Sequence, residues 1–501
     1  MLFGISFRRP LLFASVFSLL ISILILFIKI YVSLSFLPDI SGSETSTIFP
    51  IQRLTGNLPV YTDPESPPFL MAQYTPIYFV LVSTIAKVVG VLPDDVHKVF
   101  ILSRLTSVLL VVALAGVVGA FLRYKIRTSI WVALLAASFI YQILAYWYLT
   151  SSRPDSLLVL LTSLFIVAAY RAIALENENS VWWIATIFVA VTAFFVKQSG
   201  AIHSVSLGVF CLITAQWKLL LRMIFSGIAF FCFYIFVLPT QSIEIFFINI
   251  IGGVANSASW GWFYDWTLQR FLLAFAPLLA INMAICIVSF RNKGGLYLKF
   301  LSGCSVLFFL FATATATKIG AGVGYYQDYL IVSVVQIVAF GHAQGWHLKA
   351  PDGLGTWVPV IYLGCAAVHC LLSVYMGYTQ IPLNHFRSQY AEQSDIARFL
   401  RVEKGLQDGE LVYISASGDF QGYYLNHFLY RNSLVPFADI VYLADQNRTF
   451  DFSKLDELVR NRKIKYVISN KGKEPITILG QHFPALQKIR TTSSYDIYQG
   501  Y

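Results

Sequence analysis

A carboxylate beside a hydroxyl can take its proton, and one polar stretch of this apolar chain gathers carboxylates. The stretch is Glu44–Tyr78, ETSTIFPIQRLTGNLPVYTDPESPPFLMAQYTPIY, which follows the first long apolar run. It holds Glu44, Asp63 and Glu65 against a single cation, Arg53, and its second half is rich in Pro, Tyr and Gln. A loop of this length between apolar segments is either functional or disordered, and the Pro and aromatic content argues for a packed, ordered one. Three carboxylates compete for the role of general base: Asp39, Glu44 and Asp63. Asp39 follows Pro38 where the first run ends, at the membrane exit. Asp63 precedes Pro64, a pairing that makes turns. Glu44 opens a segment in which Ile48, Ile51 and Leu54 recur at a spacing near three. That pattern predicts a short helix on the bilayer surface, kinked or divided at Pro50. Glu44, fixed at its start, is the predicted base.

Cations are needed wherever an anionic leaving group departs. Arg153, Lys197 and Lys318 fall at the ends of apolar runs, with Asp155, His203, Asp265 and Asp328 near them. Ionisable residues at membrane depth are costly and point to function. Each has a plainer reading as well. Asp155 after Pro154 can cap the next helix. Arg153 and Lys197 can snorkel to head groups. His203 reads as a satisfied bundle histidine. The aromatic run Trp260–Trp266 reads as a loop at the interfacial belt. The glycines of 320–324 follow no strand and make no nucleotide fingerprint; they read as a flexible loop or a lid beside Lys318.

The elements that position these groups are apolar. The chain has 501 residues, 57% hydrophobic and 12% charged. A soluble domain carries about 25% charged residues, so this is a polytopic helical membrane protein. Its net charge of +10 sits in short loops between apolar runs, as the positive-inside rule requires, and no nucleic acid is implied. Arg8-Arg9, Arg123–Arg127, Lys218 with Arg222, and Arg291–Lys293 mark the inner side. About eleven spans then run from an inner N-terminus to an outer C-terminus. Ile77–Val91 is too short to span and reads as an interfacial helix. Span 11 is expected near 357–376. The six cysteines all lie in apolar segments and suggest no disulfide framework. Residues 1–379 form the membrane domain, with an outer loop over 35–98. Residues 380–501 are polar, with strand-like runs at Leu411–Ser415, Tyr466–Ser469 and Tyr495–Tyr498 and helical patterns near Ser394–Glu403 and Phe452–Arg462. They predict a small extracytoplasmic α/β domain.

Several residues together resemble a known family. They are Glu44; Arg53, Leu54, Gly56 and Tyr61; Tyr74, Pro76 and Tyr78; Arg104; Arg153-Pro154-Asp155; and Lys197-Gln198. Their order and sidedness are similar to the polytopic superfamily C glycosyltransferases. The likeness is to the family 39 type, which includes protein mannosyltransferases, lipid A aminoarabinose transferases and bacterial galacturonosyltransferases. The resemblance covers about 40–380. It implies a polyprenyl-phosphate sugar as donor, a glycan, lipid or protein hydroxyl as acceptor, and membrane lipids as surroundings. It implies catalytic roles for Glu44 and Asp155 and substrate contacts from Lys197, Lys318, Arg153, Tyr74 and Tyr78. It also implies a bacterial plasma membrane. Many members carry adjacent Asp-Glu where this chain has Ser43-Glu44, which leaves use of a divalent metal open. No cofactor is otherwise called for. One carboxylate base and in-line attack imply inversion at the sugar. The alternatives are a transporter or flippase for lipid-linked sugars, which would need a polar mid-membrane pathway, and a non-catalytic scaffold.

The basic-loop parity yields a direct test. Single cysteines introduced at positions 419 and 125 should label from opposite sides of the membrane, 419 from outside. Labelling of both from one side would refute the topology.

Overall fold

In hydrocarbon every backbone polar group must be satisfied within the segment, so long apolar runs become helices. The computed structural model describes residues 8–146, 149–175, 180–239, 242–291, 295–345, ten residues between 364 and 379, 386–416, 422–437, 441 and 444–500. The first ten helices are α1 (Arg8–Leu34), α2 (Thr45–Thr55), α3 (Ile77–Val88), α4 (Val96–Tyr124), α5 (Ile130–Tyr146), α6 (Asp155–Ala174), α7 (Val181–Val196), α8 (Ala201–Ile213), α9 (Trp217–Val237) and α10 (Ile243–Gly252). The helices Trp260–Arg291, Leu296–Ala316 and Gln327–Ala343 follow. Among the described residues seven helices are long and apolar enough to cross a bilayer, and α3, α5, α7, α8 and α10 are shorter apolar helices. The chain is an integral membrane protein. The expected eleventh span falls largely outside the described residues.

Three local expectations are corrected. The aromatic run Trp260–Trp266 is the start of a helix, with a widened π-turn over Phe263–Leu268. Ser259 Oγ accepts the Trp262 N–H at 3.2 Å and so caps it. Helix α10 was not foreseen; Ser242 caps it by accepting the Ile245 N–H at 3.0 Å. Finally, α2 is no surface helix. Nine of its eleven residues are buried, and Pro50 lies inside it without dividing it.

The chain forms two compact units. One comprises Met1–Val32, Leu105–Tyr234 and Ala258–Ile381; the other comprises Ser33–Arg104, Ile235–Ser257 and Pro382–Tyr501. In the first, buried polar side chains join helices. Gln142 Nε2 on α5 donates to Ser18 O at 2.9 Å and to Ser22 Oγ at 3.0 Å on α1. A larger network links the last three long helices. Gln336 Oε1 accepts Ser305 Oγ at 2.6 Å and Asn282 Nδ2 at 2.8 Å, while Gln336 Nε2 donates to Ser302 Oγ at 2.8 Å. Tyr329 Oη donates to Asn282 Oδ1 at 3.2 Å. Such bonds hold helices together where lipid and side chains are equally apolar.

In the second unit, α2 packs on α3, and Asn249 of α10 pins the loop between them. Asn249 Nδ2 donates to Thr62 O at 2.8 Å, and Asn249 Oδ1 accepts the Ala72 N–H at 3.0 Å. The C-terminal segment forms a five-stranded mixed sheet of β1 (Leu411–Ile414), β2 (Ser433–Leu434), β3 (Ile464–Asn470), β4 (Gln487–Thr491) and β5 (Tyr495–Gln499). The order is β2-β1-β3-β5-β4, with β1 parallel to β2 and β3, and β5 antiparallel to β3 and β4. Its core includes Tyr413, Leu434, Leu455, Val459 and Val467, together with Phe69 and Met71 from the loop between α2 and α3. The Val435 N–H donates to Pro68 O at 2.9 Å. The small domain is thus closed by the loop that precedes α3.

Replacing Gln336 with Leu leaves Ser302, Ser305 and Asn282 short of partners. The variant should lose about 1–2 kcal/mol of stability in detergent, read as a lower thermal midpoint; an unchanged midpoint would show that the network contributes nothing.

Candidate active site

The carboxylate turn is built before α2. Asp39 Oδ1 accepts the N–H groups of Ser41 and Gly42, each at 2.8 Å, and Asp39 Oδ2 accepts the Glu44 N–H at 3.1 Å. Gly42 sits at φ +74°, a left-handed conformation that favours glycine, so the turn needs it. The Glu44 carbonyl then accepts Thr47 and Ile48 N–H groups at 2.9 and 2.7 Å and starts the helix.

The Glu44 side chain has no exposure. Its Oε2 accepts Arg104 Nη2 at 2.7 Å and the Ile40 N–H at 2.8 Å, and its Oε1 accepts Arg104 Nε at 3.1 Å. Arg104, equally buried, also donates from Nη2 to Leu37 O at 2.6 Å. Arg104 Nη1 has no hydrogen-bond partner among the described residues. Asp39 is buried beside this pair. Burial first, and then the negative charge of Glu44, push its carboxyl up to about 7. The two carboxylates therefore differ. Glu44 is held against a cation that cannot lose its proton, whereas Asp39 is poised near neutrality. Asp63 lies elsewhere, in an exposed turn, and accepts the Glu65 N–H at 2.9 Å and Ser66 Oγ at 2.7 Å.

The two tyrosines serve the loop. Tyr78 is fully buried and donates to Ser103 O at 3.3 Å, and the Tyr74 carbonyl accepts the Tyr61 hydroxyl at 2.7 Å. Arg53 Nε donates to Pro59 O at 2.8 Å, closing the loop behind α2.

The cationic groups gather in the other unit. Asp155 is the first residue of α6, where its charge also suits the helix N-terminus. Asp155 Oδ1 accepts Lys197 Nζ at 2.7 Å and Gln327 Nε2 at 3.0 Å, and Arg153 Nε lies 3.4 Å from Oδ2. Lys197 Nζ stands 5.4 Å over the Tyr325 ring. Lys318 belongs to the same group. Burial, and then repulsion from Lys197, lower its ammonium to about 8. The Ser259 N–H donates to Thr317 O at 2.8 Å, and Trp262 Nε1 donates to Ala321 O at 2.8 Å, so the aromatic helix start steadies the Lys318 loop. Asp155, Lys197, Ser199, Tyr325, Gln327 and Asp328 line a cavity of about 20 Å³, the room of a single water. Behind it, Asp328 Oδ1 contacts Thr162 Oγ1 at 2.5 Å, and Thr162 Oγ1 meets His203 Nε2 at 2.9 Å. His203 Nδ1 donates to Gly200 O at 2.9 Å. An apolar groove of about 450 Å³ runs along α7, α8 and α9, lined by Ala190, Phe194, Val205, Met223, Gly227 and Phe231 among others.

Among the described residues no group of three or more His, Cys, Asp or Glu side chains is arranged to hold a metal ion. Sequence reasoning placed Arg104 at the head of a span without a role. Its signal was a guanidinium inside an apolar run. Asp39, which in sequence reads as a residue at the membrane exit after Pro38, is instead buried beside Glu44 and Arg104.

No protein-family model matches the chain, and no curated protein matches it. Solved structures do. ArnT from Cupriavidus metallidurans bound to undecaprenyl phosphate superposes with TM-score 0.58 at 14% identity, over 96% of this chain and 98% of that one. The Archaeoglobus fulgidus oligosaccharyltransferase in its apo form superposes with TM-score 0.55 at 12% identity, over 94% of this chain and 70% of that one. The archaeal enzyme in complex with an inhibitory peptide and a dolichol-phosphate gives 0.50 at 12% identity, over 90% and 69%. At these identities the likeness is one of fold, and the chain shares its fold with both enzymes.

Proposed function

We propose that this protein transfers a hexosyl or pentosyl group from a polyprenyl-phosphate donor to a hydroxyl acceptor at the outer face of a bacterial plasma membrane, with inversion. The observation that carries the reading is the buried Asp39–Glu44–Arg104 cluster at the start of the outer loop, in a fold whose solved examples include one bound to undecaprenyl phosphate and one bound to a dolichol-phosphate. The acceptor hydroxyl attacks the anomeric carbon, and the bond from that carbon to the phosphate oxygen breaks with its electron pair leaving on the phosphate. The hydroxyl proton passes to the carboxylate pair. Asp39 is the better seat for it, since a base works best when its pKa lies near the working pH. Glu44, fixed by Arg104, keeps the negative charge that raises Asp39.

The departing phosphate is met by Lys197 and Lys318, with Arg153 behind them. Asp155 orients Lys197 rather than reacting. The polyprenyl tail lies in the apolar groove, which begins at Phe194 and Ala201 on either side of Lys197 in sequence. Tyr74 and Tyr78 shape the loop that admits the acceptor.

Two measurements test this with purified protein in detergent and a radiolabelled polyprenyl-phosphate hexose. Lys197→Ala should weaken donor use by on the order of a hundredfold; unchanged kinetics in folded protein would make Lys197 an interfacial anchor. The pH profile tests the base. Activity requires Asp39 ionised, so kcat/KM should rise through about 7 and fall again as Lys318 loses its charge above about 8. Asp39→Asn should remove the acid-side limb and lower the rate about 100- to 10,000-fold, with donor still bound. Glu44→Gln should lower the rate and shift that limb toward lower pH, because it removes the neighbouring charge. Full activity in Asp39→Asn with loss in Glu44→Gln would return the base to Glu44. Full activity in both would defeat the carboxylate mechanism.

A further inference from the structure

The short helix Tyr423–Phe428 of the C-terminal segment bonds to the chain on either side of the carboxylate turn, and Tyr390 packs on Phe36 from a neighbouring helix. We propose that this helix is a brace for the reaction, and that Tyr424 and His427 are positioning residues for proton transfer at Asp39 and Glu44. The inference rests on the glycosyl-transfer reading above.

The brace grips the turn on both sides. Upstream of Asp39, Tyr424 Oη donates to Phe36 O at 2.6 Å. The next carbonyl, Leu37 O, is the one that Arg104 Nη2 holds at 2.6 Å. Residues 36 and 37 are therefore fastened to the domain and to the Glu44 partner in succession. Downstream of Glu44 the anchor is Gln52, two turns along α2. Gln52 Nε2 donates to His427 O at 2.8 Å and to Pro93 O at 2.6 Å. His427 Nδ1 lies 3.1 Å from Gln52 Oε1. An amide oxygen only accepts, so Nδ1 carries the proton. The amide and the histidine thus hold each other through two hydrogen bonds.

Both anchors are dry. Gln52 and His427 have no exposure and Tyr424 is 1% exposed. Burial first, and then the nearby Arg104 charge, hold the imidazole down at about 3, so it is neutral throughout the working range and donates one fixed proton. Phe100, on the same helix as Arg104, packs its ring 5.4 Å from Tyr424 and 4.8 Å from His427. Gly422, at φ +79°, starts the brace helix, and a Cβ there would stand 2.9 Å from the Ala416 side chain. A helix is stiff over eight residues, about 12 Å, so fixing Gln52 fixes Glu44. The Glu44 N–H in turn holds Asp39. The domain acts on the chemistry through backbone placement, without touching a reacting atom.

The test uses the full-length protein. His427→Phe keeps the ring packing and removes the Nδ1 donor; Tyr424→Phe removes the hydroxyl alone. The double variant should lose on the order of 10- to 100-fold in kcat, as a small misplacement of a reacting group does, with donor KM changed less than about twofold. His427→Asn, whose amide N–H can stand where Nδ1–H stood, should recover most of the loss. In an Asp39→Asn background the double variant should add little, because both changes act on one step. Hydrogen exchange of the amides of residues 36–52 should quicken in the double variant. Unchanged kcat in the double variant, or a full multiplicative loss on top of Asp39→Asn, overturns the brace. If Asp39→Asn and Glu44→Gln themselves keep full activity, the base assignment fails, and exchange over 36–52 still decides the brace: no change there overturns it.

Discussion

The buried pair of Glu44 and Arg104 is the constraint on which the loop between α1 and α4 depends. Two charges with no solvent exposure are costly to bury, and their mutual attraction offsets that cost only when geometry and additional hydrogen bonds are good. Here the guanidinium makes three contacts within 3.2 Å of the carboxylate, and the Ile40 N–H supplies a further bond. Removing one partner of such a pair typically costs about 3–5 kcal/mol, because the other charge is left unpaired. That penalty ties the start of α2 to α4. It also holds the Glu44 carboxylate beside Asp39, whose carboxyl is raised by burial first and then by that neighbour.

The first unit solves a related problem around Asp155 with two cations and an amide. Asp155 stays inside because Lys197, Arg153 and Gln327 surround it. Asp328, Thr162 and His203 form a line of contacts in which at least one hydrogen beyond the threonine's own must be supplied, since two contacts share a single hydroxyl proton. The Gln336 network binds three helices with donors matched to acceptors. In this unit Asp155 is thus paired with the cationic group, while Gln336 and Asn282 serve helix association.

The small sheet would be a poor domain alone. Its β2 strand has two residues, and its core borrows Phe69 and Met71 from the outer loop. Small domains bury too little apolar surface to be stable without such help. Lending the loop to the domain gives both an ordered structure, and it makes the loop's conformation depend on residues more than 350 positions later in the chain, as between Gln52 and His427.

Much was legible in the chain. The apolar runs had to be helices because hydrocarbon offers the backbone no other partner. The strands β1, β3 and β5 announced themselves through alternating apolar residues between turns. Residue type and place in the chain nominate Glu44, Asp155, Lys197 and Lys318, and the structure shows which side chains surround each of them. What the chain could not give was pairing. No spacing rule joins Glu44 to Arg104, Asp155 to Gln327 or Gln52 to His427. The burial of α2 was also misjudged, since a periodic apolar face looks the same whether lipid or protein covers it. The relative standing of Asp39 and Glu44 depends on which carboxylate Arg104 reaches. Side-chain type and local order are written in sequence; desolvation and charge pairing arise only when distant segments meet, and only tertiary structure decides them.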